Sequence, residues 1–168
     1  MILVDIGNTN IVIGFCINNK ITNVSRYPTK LNHSSKKIKK IIEYRISNFK
    51  NYNSQFCIVS SVVPRMNNYI FKIFKSLKKK VINISFSKPN LDIKFNVNNF
   101  YELGSDRVAN TVAAVSKYGK NCLIVDFGTA TTFDIIKNSI YQGGVIAPGV
   151  NTSHNSLVES AAKLNKIS

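Results

Sequence analysis

The feature that most constrains how this chain can fold is a repeated one. ILVDIGNTN, residues 2–10, ends an apolar run at Asp5 and turns at Gly7; LIVDFGTAT, residues 123–131, does the same with Asp126 and Gly128. Each run is rich in β-branched residues and bounded by turn residues, which predicts a strand. The first D-x-G leads into IVIGFCI, and the pair Asn18-Asn19 predicts a hairpin turn into KITNVSRY, giving a three-stranded meander. TTFDIIK and SIYQGGVIAP repeat the arrangement after the second D-x-G. Self-similarity of this kind points to a duplicated α/β unit with a nucleotide held between the copies.

Between the two meanders the pattern switches to helical spacing. SSKKIKKIIEYRISNF, residues 34–49, places Ile38, Ile41, Ile42 and Ile46 on one face, with Ser34 or Ser35 as N-cap. QFCIVSSVV predicts a buried strand, and Pro64 opens a helix over PRMNNYIFKIFKSLKKK, whose lysines 78–80 fall in the last turn, where cations suit the dipole. VINISF predicts a further strand. ELGSDRVANTVAAVSKYG predicts a helix ending at Gly119. Strands alternate with helices but each unit opens on hairpins, so mixed sheets are expected rather than purely parallel ones.

At 168 residues and 44% hydrophobic the chain can bury a core. Its net charge of +15 comes from 19 Lys against 4 Arg in an Asn- and Ile-rich sequence. That is the imprint of AT-rich coding, and with Arg forks and aromatic-interleaved clusters scarce it predicts no specific nucleic-acid partner. Cys16, Cys57 and Cys122 sit singly in apolar segments without C-x-x-C spacing, as thiols in a reducing cytoplasm do. His33 and His154 lie apart from them and from each other, which argues against zinc. No basic n-region precedes the first apolar run, and no run has the length of a membrane span.

The chemistry resides in four short stretches. A glycine after a strand lets backbone N–H groups approach an anion, with Thr or Asn adding donors. A carboxylate there repels phosphate unless a cation intervenes, so Asp5 and Asp126 are expected on the cation side of a phosphate site. In ELGSDRVAN, Asp106 is either an acid favoured at a helix N-terminus, with Arg107 in a surface ion pair, or a general base with Arg107 binding an anion. The glycines of GGVIAPG serve either a close ligand approach or a turn at a sheet edge.

Taken together and in order, DIGNTN, LGSDRVAN, DFGTATT and GGVIAPG resemble the type III pantothenate kinases, of the acetate and sugar kinase, Hsp70 and actin superfamily. The resemblance runs from residue 2 to about 164. It implies a duplicated ribonuclease H-like (actin-like ATPase) fold with mixed sheets, residues 1–102 forming the first half and 103–168 the start of a second, incomplete half. It also implies a homodimer that transfers the γ-phosphate of ATP to pantothenate in the first step of coenzyme A biosynthesis.

By the same resemblance Asp5, Ile6, Gly7, Asn8, Thr9, Asn10, Ile11 and Val12 form the first phosphate loop, Asp5 on the Mg²⁺ side, and Thr129 contacts ATP. Gly104, Ser105, Asp106 and Arg107 line the pantothenate pocket, Asp106 taking the hydroxyl proton and Arg107 near the pantothenate carboxylate. Asp126 binds the monovalent cation, K⁺ or NH₄⁺. The family's usual Tyr, seven residues before the glycine of G-x-D-R, is Val97 here, and its frequent Pro is Phe100. The family also continues past AAKLNKIS. Against the kinase stands the expectation of an inactive truncated remnant, or of a regulator like the Bvg accessory factor.

Overall fold

The computed structural model describes residues 1–29, 35–48, 54–84 and 93–161, without the side chains of 35–37 and 101. Ser34 as an N-cap, the end of VINISF at 85–86, His33 and residues 162–168 lie outside the described residues. The chain divides into two compact units, Met1–Pro89 with Gly104–Asp106, and Asn90–Leu103 with Arg107–Ser168.

In the first unit, β1 (Ile2–Ile6), β2 (Asn10–Ile17) and β3 (Lys20–Pro28) form the expected meander. Asn18 and Asn19, at φ 48° and 59°, make the hairpin turn, since Asn tolerates the left-handed region that a tight two-residue turn requires. Helix α1 (Ser35–Ser47) leads to β4 (Phe56–Ser61), helix α2 (Pro64–Ser76) and β5 (Lys80–Asn83). The sheet order is β3-β2-β1-β4-β5, with β4 parallel to both β1 and β5 and the meander antiparallel.

Alternation along β1 turns Ile2, Val4 and Ile6 inward, where at 3% exposure or less they meet Ile13 and Phe15 of β2. Ile38 and Ile42 of α1, with Met66, Ile70 and Phe74 of α2, close this face at the 3.6-residue spacing read from the sequence. Each such side chain contributes roughly 1.5–3 kcal/mol through removal from water.

Pro64 does occupy the first turn of α2. Lysines 78–80 do not extend that helix: it stops at Ser76, Lys78 turns left-handed at φ 54°, and Lys80 opens β5. The Lys79 N–H reaches back to the Phe74 carbonyl and the Lys78 N–H to that of Lys75, a Schellman termination that satisfies the final carbonyls without a glycine.

The second unit repeats the meander as β7 (Cys122–Phe127), β8 (Ala130–Lys137) and β9 (Ile140–Pro148), preceded by the short β6 (Lys94–Phe95) and followed by α4 (Val150–Ser160). Its sheet order is β6-β9-β8-β7, with β6 parallel to β9 and the rest antiparallel. The turn again uses two left-handed residues, Asn138 and Ser139. Helix α3 (Ser105–Tyr118) ends as expected at Gly119, whose φ of 103° glycine accepts without strain. Neither β6 nor α4 was expected from the sequence.

The two meanders differ in cover. Leu123, Val125 and Phe127 stand at the places of Ile2, Val4 and Ile6 yet are 65%, 39% and 72% exposed. The described residues of the second unit leave this apolar sheet face to solvent. Among the described residues no helix is long and apolar enough to cross a membrane.

Candidate active site

Asp5 is the fourth residue of β1, paired with Val12 of β2 and with Ser60 of β4. Alternation that buries Val4 and Ile6 turns Asp5 outward, where it is exposed. The Gly7–Asn10 turn is closed by Gly7 N–H donating to the Asn10 carbonyl at 2.9 Å. A Cβ on Gly7 would press on that oxygen at 3.3 Å. The buried Thr29, following β3, clamps the turn from behind: its N–H donates to the Thr9 carbonyl at 2.8 Å and its Oγ1 to the Gly7 carbonyl at 2.7 Å. Asn8 and Thr9 are left exposed.

The same sheet edge holds the G-S-D stretch. Ser105, 2% exposed, accepts the Ser61 N–H at 2.7 Å through its Oγ and hydrogen-bonds Ser60 Oγ at 3.1 Å. Since Ser60 and Ser61 lie beside Asp5 and Ile6 in register, the start of α3 is tied to the carboxyl end of β1 and β4. Ligands of open α/β sheets bind outside that end of the strands. Asp106 follows in the first turn of the helix, half-buried, where the dipole favours its charge. Its carboxylate folds back over Gly104, leaving no room for a Cβ there. Ser105 itself faces inward, so its hydroxyl supports the site rather than lining a pocket.

In the second unit, Asp126 is exposed and its Oδ2 accepts from Asn110 Nδ2 of α3 at 2.9 Å. Gly128 N–H donates to the Ala130 carbonyl at 3.0 Å, closing a turn one residue shorter than the first. The exposed Thr129 has its carbonyl held by Gly149 N–H at 3.2 Å and Thr152 Oγ1 at 3.1 Å. Gly149 thus stands where Thr29 stands in the first copy. A Cβ on it would run into the backbone of Gly128 and Thr129, so the GGVIAPG motif is fitted to the second D-x-G turn.

Arg107 does not make a surface ion pair. Its Nε and Nη2 donate at 2.9 and 2.6 Å to Oδ1 of Asp134, which is fully buried. Tyr141 Oη donates to the same oxygen at 2.6 Å. Asp134, Tyr141, Asn110 and Thr29 escaped the sequence reading. A charge two residues from Thr132 and Ile136 on the inward face of β8 was the available signal for Asp134, because a buried carboxylate needs a partner.

Of the cysteines, Cys57 is buried within β4, and burial pushes its thiol up to about 12, which removes it as a nucleophile. A groove of about 290 Å³ lies on the first sheet, lined by Leu3, Val12, Ile58 and other aliphatic side chains with Asp5 and Ser60. Those walls suit apolar matter rather than phosphate. Val97 is half-buried, and the side chain of Tyr101 lies outside the described residues. Among the described residues no three His, Cys, Asp or Glu side chains cluster as a metal site.

Two mixed-sheet units, each opening on an Asp-x-Gly turn between its first two strands, define the duplicated ribonuclease H-like, actin-like ATPase class. Solved structures agree on the fold. A protein described as a Baf family transcriptional activator from Campylobacter jejuni matches 99% of this chain and 63% of its own at TM-score 0.60 and 23% identity. The ethanolamine utilization protein EutJ from Carboxydothermus hydrogenoformans matches at TM-score 0.52 and 11% identity, over 98% of this chain and 57% of its own.

Sequence comparison is more specific. The profile of the type III pantothenate kinase family matches residues 1–168, and the chain belongs to that family. The type III pantothenate kinase of Thermosipho africanus is 39% identical over 169 residues, covering 99% of this chain and 66% of its own length. That of Pelagibacter ubique is 40% identical over 173 residues, with the same coverage. The chain thus spans just under two thirds of the length of these curated relatives.

Proposed function

We propose that this chain carries the phosphoryl-transfer machinery of a pantothenate kinase, moving the γ-phosphate of ATP to the terminal hydroxyl of pantothenate in the first step of coenzyme A synthesis. The observation that carries the reading is the tie of the G-S-D helix start, through Ser105, to the strand end that bears Asp5. It holds a phosphate-type turn and a base of suitable chemistry on one sheet edge, and positioning of that kind supplies most of the catalysis in phosphoryl transfer.

In this proposal residues 5–12 form the phosphate loop and Thr129 contacts the nucleotide. Asp106 accepts the hydroxyl proton, and Arg107 meets the pantothenate carboxylate. Mg²⁺ keeps several waters and commonly takes only one or two protein carboxylates, so a lone exposed Asp5 fits its side of the phosphates. Asp126, exposed and oriented by Asn110, is assigned the monovalent cation, K⁺ or NH₄⁺. Each supplies positive charge against the phosphate oxygens. Residues 1–102 and 103–168 are proposed as the duplicated halves, in a cytoplasmic homodimer.

The test is pantothenate-dependent transfer of labelled phosphate from ATP in Mg²⁺ and K⁺, with Asp106→Asn as control. We expect transfer that falls by about 10²–10⁴ in the variant, the range of general-base catalysis, with ATP affinity little changed. No transfer from well-folded protein would refute the activity. Equal losses in turnover and ATP affinity would refute the role given to Asp106.

A further inference from the structure

We infer that Asp134 is a positioning residue, one that fixes the guanidinium of Arg107 so that it recognises a planar carboxylate by geometry; this rests on the reading of Arg107 given above. Three donors converge on Asp134 Oδ1, from Arg107 Nε, Arg107 Nη2 and Tyr141 Oη, while Oδ2 is buried and has no hydrogen-bond partner among the described residues. The Tyr141 ring, itself fully buried, lies 5.9 Å from the guanidinium carbon. Gly144, the second glycine of GGVIAPG, leaves space for the pair: a Cβ there would come within 2.6 Å of Arg107 Nη2 and 2.7 Å of Asp134 Oδ1.

Stability gives little reason for this arrangement. A buried ion pair recovers its desolvation cost only with good geometry and full hydrogen bonding, and apolar replacements of similar volume are often as stable. Here one carboxylate oxygen carries every bond and the other none, so the geometry favours the arginine rather than the aspartate. A guanidinium presents its donors in a rigid planar fork. With the Nε/Nη2 edge held by Asp134, a ligand carboxylate is met through the Nη1/Nη2 edge, in an orientation set by strand β8 rather than by the flexible arginine stem. Asp134 also balances the arginine charge, so the preference comes from directed N–H groups more than from net attraction.

The experiment compares binding of pantothenate and its neutral analogue pantothenyl alcohol, by calorimetry on the whole chain, for wild type, Asp134→Asn and Tyr141→Phe. Charge-assisted hydrogen bonds predict a preference for the acid of about tenfold or more in wild type. Asp134→Asn keeps the volume and one acceptor oxygen, and is expected to reduce that preference to about twofold while ATP affinity stays unchanged, which a general loss of structure would not do. Tyr141→Phe keeps both arginine bonds and should lower the preference about threefold, deciding the matter if the asparagine variant does not fold. A folded variant retaining the full wild-type preference overturns the inference alone. A wild-type chain that binds acid and alcohol equally overturns both the inference and the assignment of Arg107 to the carboxylate.

Discussion

Gly149→Ala should be among the most damaging single-methyl additions to the second unit. The position has an ordinary backbone, φ −67°, so no strain arises from the dihedral itself. The difficulty is space: the added Cβ would stand 2.8 Å from the Thr129 carbonyl carbon and closer still to the Gly128 and Thr129 oxygens. Ordinary contacts of this kind exceed about 3.4 Å, so the turn must retreat by more than half an ångström against two hydrogen bonds that fix it. Overpacking costs roughly 1–3 kcal/mol, and the upper half applies here because backbone rather than side-chain tips must move. In a chain of this size that corresponds to a melting temperature lower by about 4–10 °C.

Gly119→Ala provides the contrast. Its φ of 103° strains an alanine, yet no atom lies within 4 Å of the new methyl, so the loss should stay near 1 kcal/mol and leave the D-x-G turn unmoved. Urea unfolding of both variants, with nucleotide affinity measured alongside, separates the two effects. A loss below about 0.5 kcal/mol in Gly149→Ala, with unchanged affinity, would refute the steric argument.

Two further predictions follow from buried groups. Ser105→Ala removes the acceptor of the buried Ser61 N–H and should cost about 1–3 kcal/mol in urea unfolding, while Ser105→Thr, which keeps the hydroxyl, should recover part of it; an alanine variant as stable as wild type would refute the tie between α3 and β4. Cys57 should resist thiol reagents in the native state at pH 8 while the half-buried Cys16 and Cys122 react. Because its folded pKa of about 12 lies above the unfolded value of 9.0, the stabilisation is fully present below pH 9 and is lost as pH rises toward 12, at about 1.4 kcal/mol per pH unit. Cys57→Ala should flatten the fall in urea midpoint above pH 9, and an unchanged slope would refute this origin.

The sequence by itself determined the local structure of both meanders. Period-two alternation in ILVDI and IVIGFCI placed their strands, Asn18-Asn19 selected the hairpin turn, and 3.6-residue spacing from Met66 to Phe74 placed α2. These are short-range effects, decided by neighbours within a turn or two of chain. Where a helix stopped without a glycine, as at Lys78, the local signal misled, because a hydrogen-bonded termination outweighed the reluctance of lysine to adopt φ 54°.

Only the tertiary structure decided which side chains meet. Ser105 reaches Ser61 across 44 residues, Arg107 reaches Asp134 across 27, and Thr29 clamps Gly7 across 22. Periodicity says which face a residue occupies but not which residue of another element stands opposite, since that depends on strand order, register and the place where a helix docks. The phosphate-type turns were therefore legible as motifs, whereas the supports that hold them, and the buried partner of Arg107, came into view only when β8 was set beside β9 and α3.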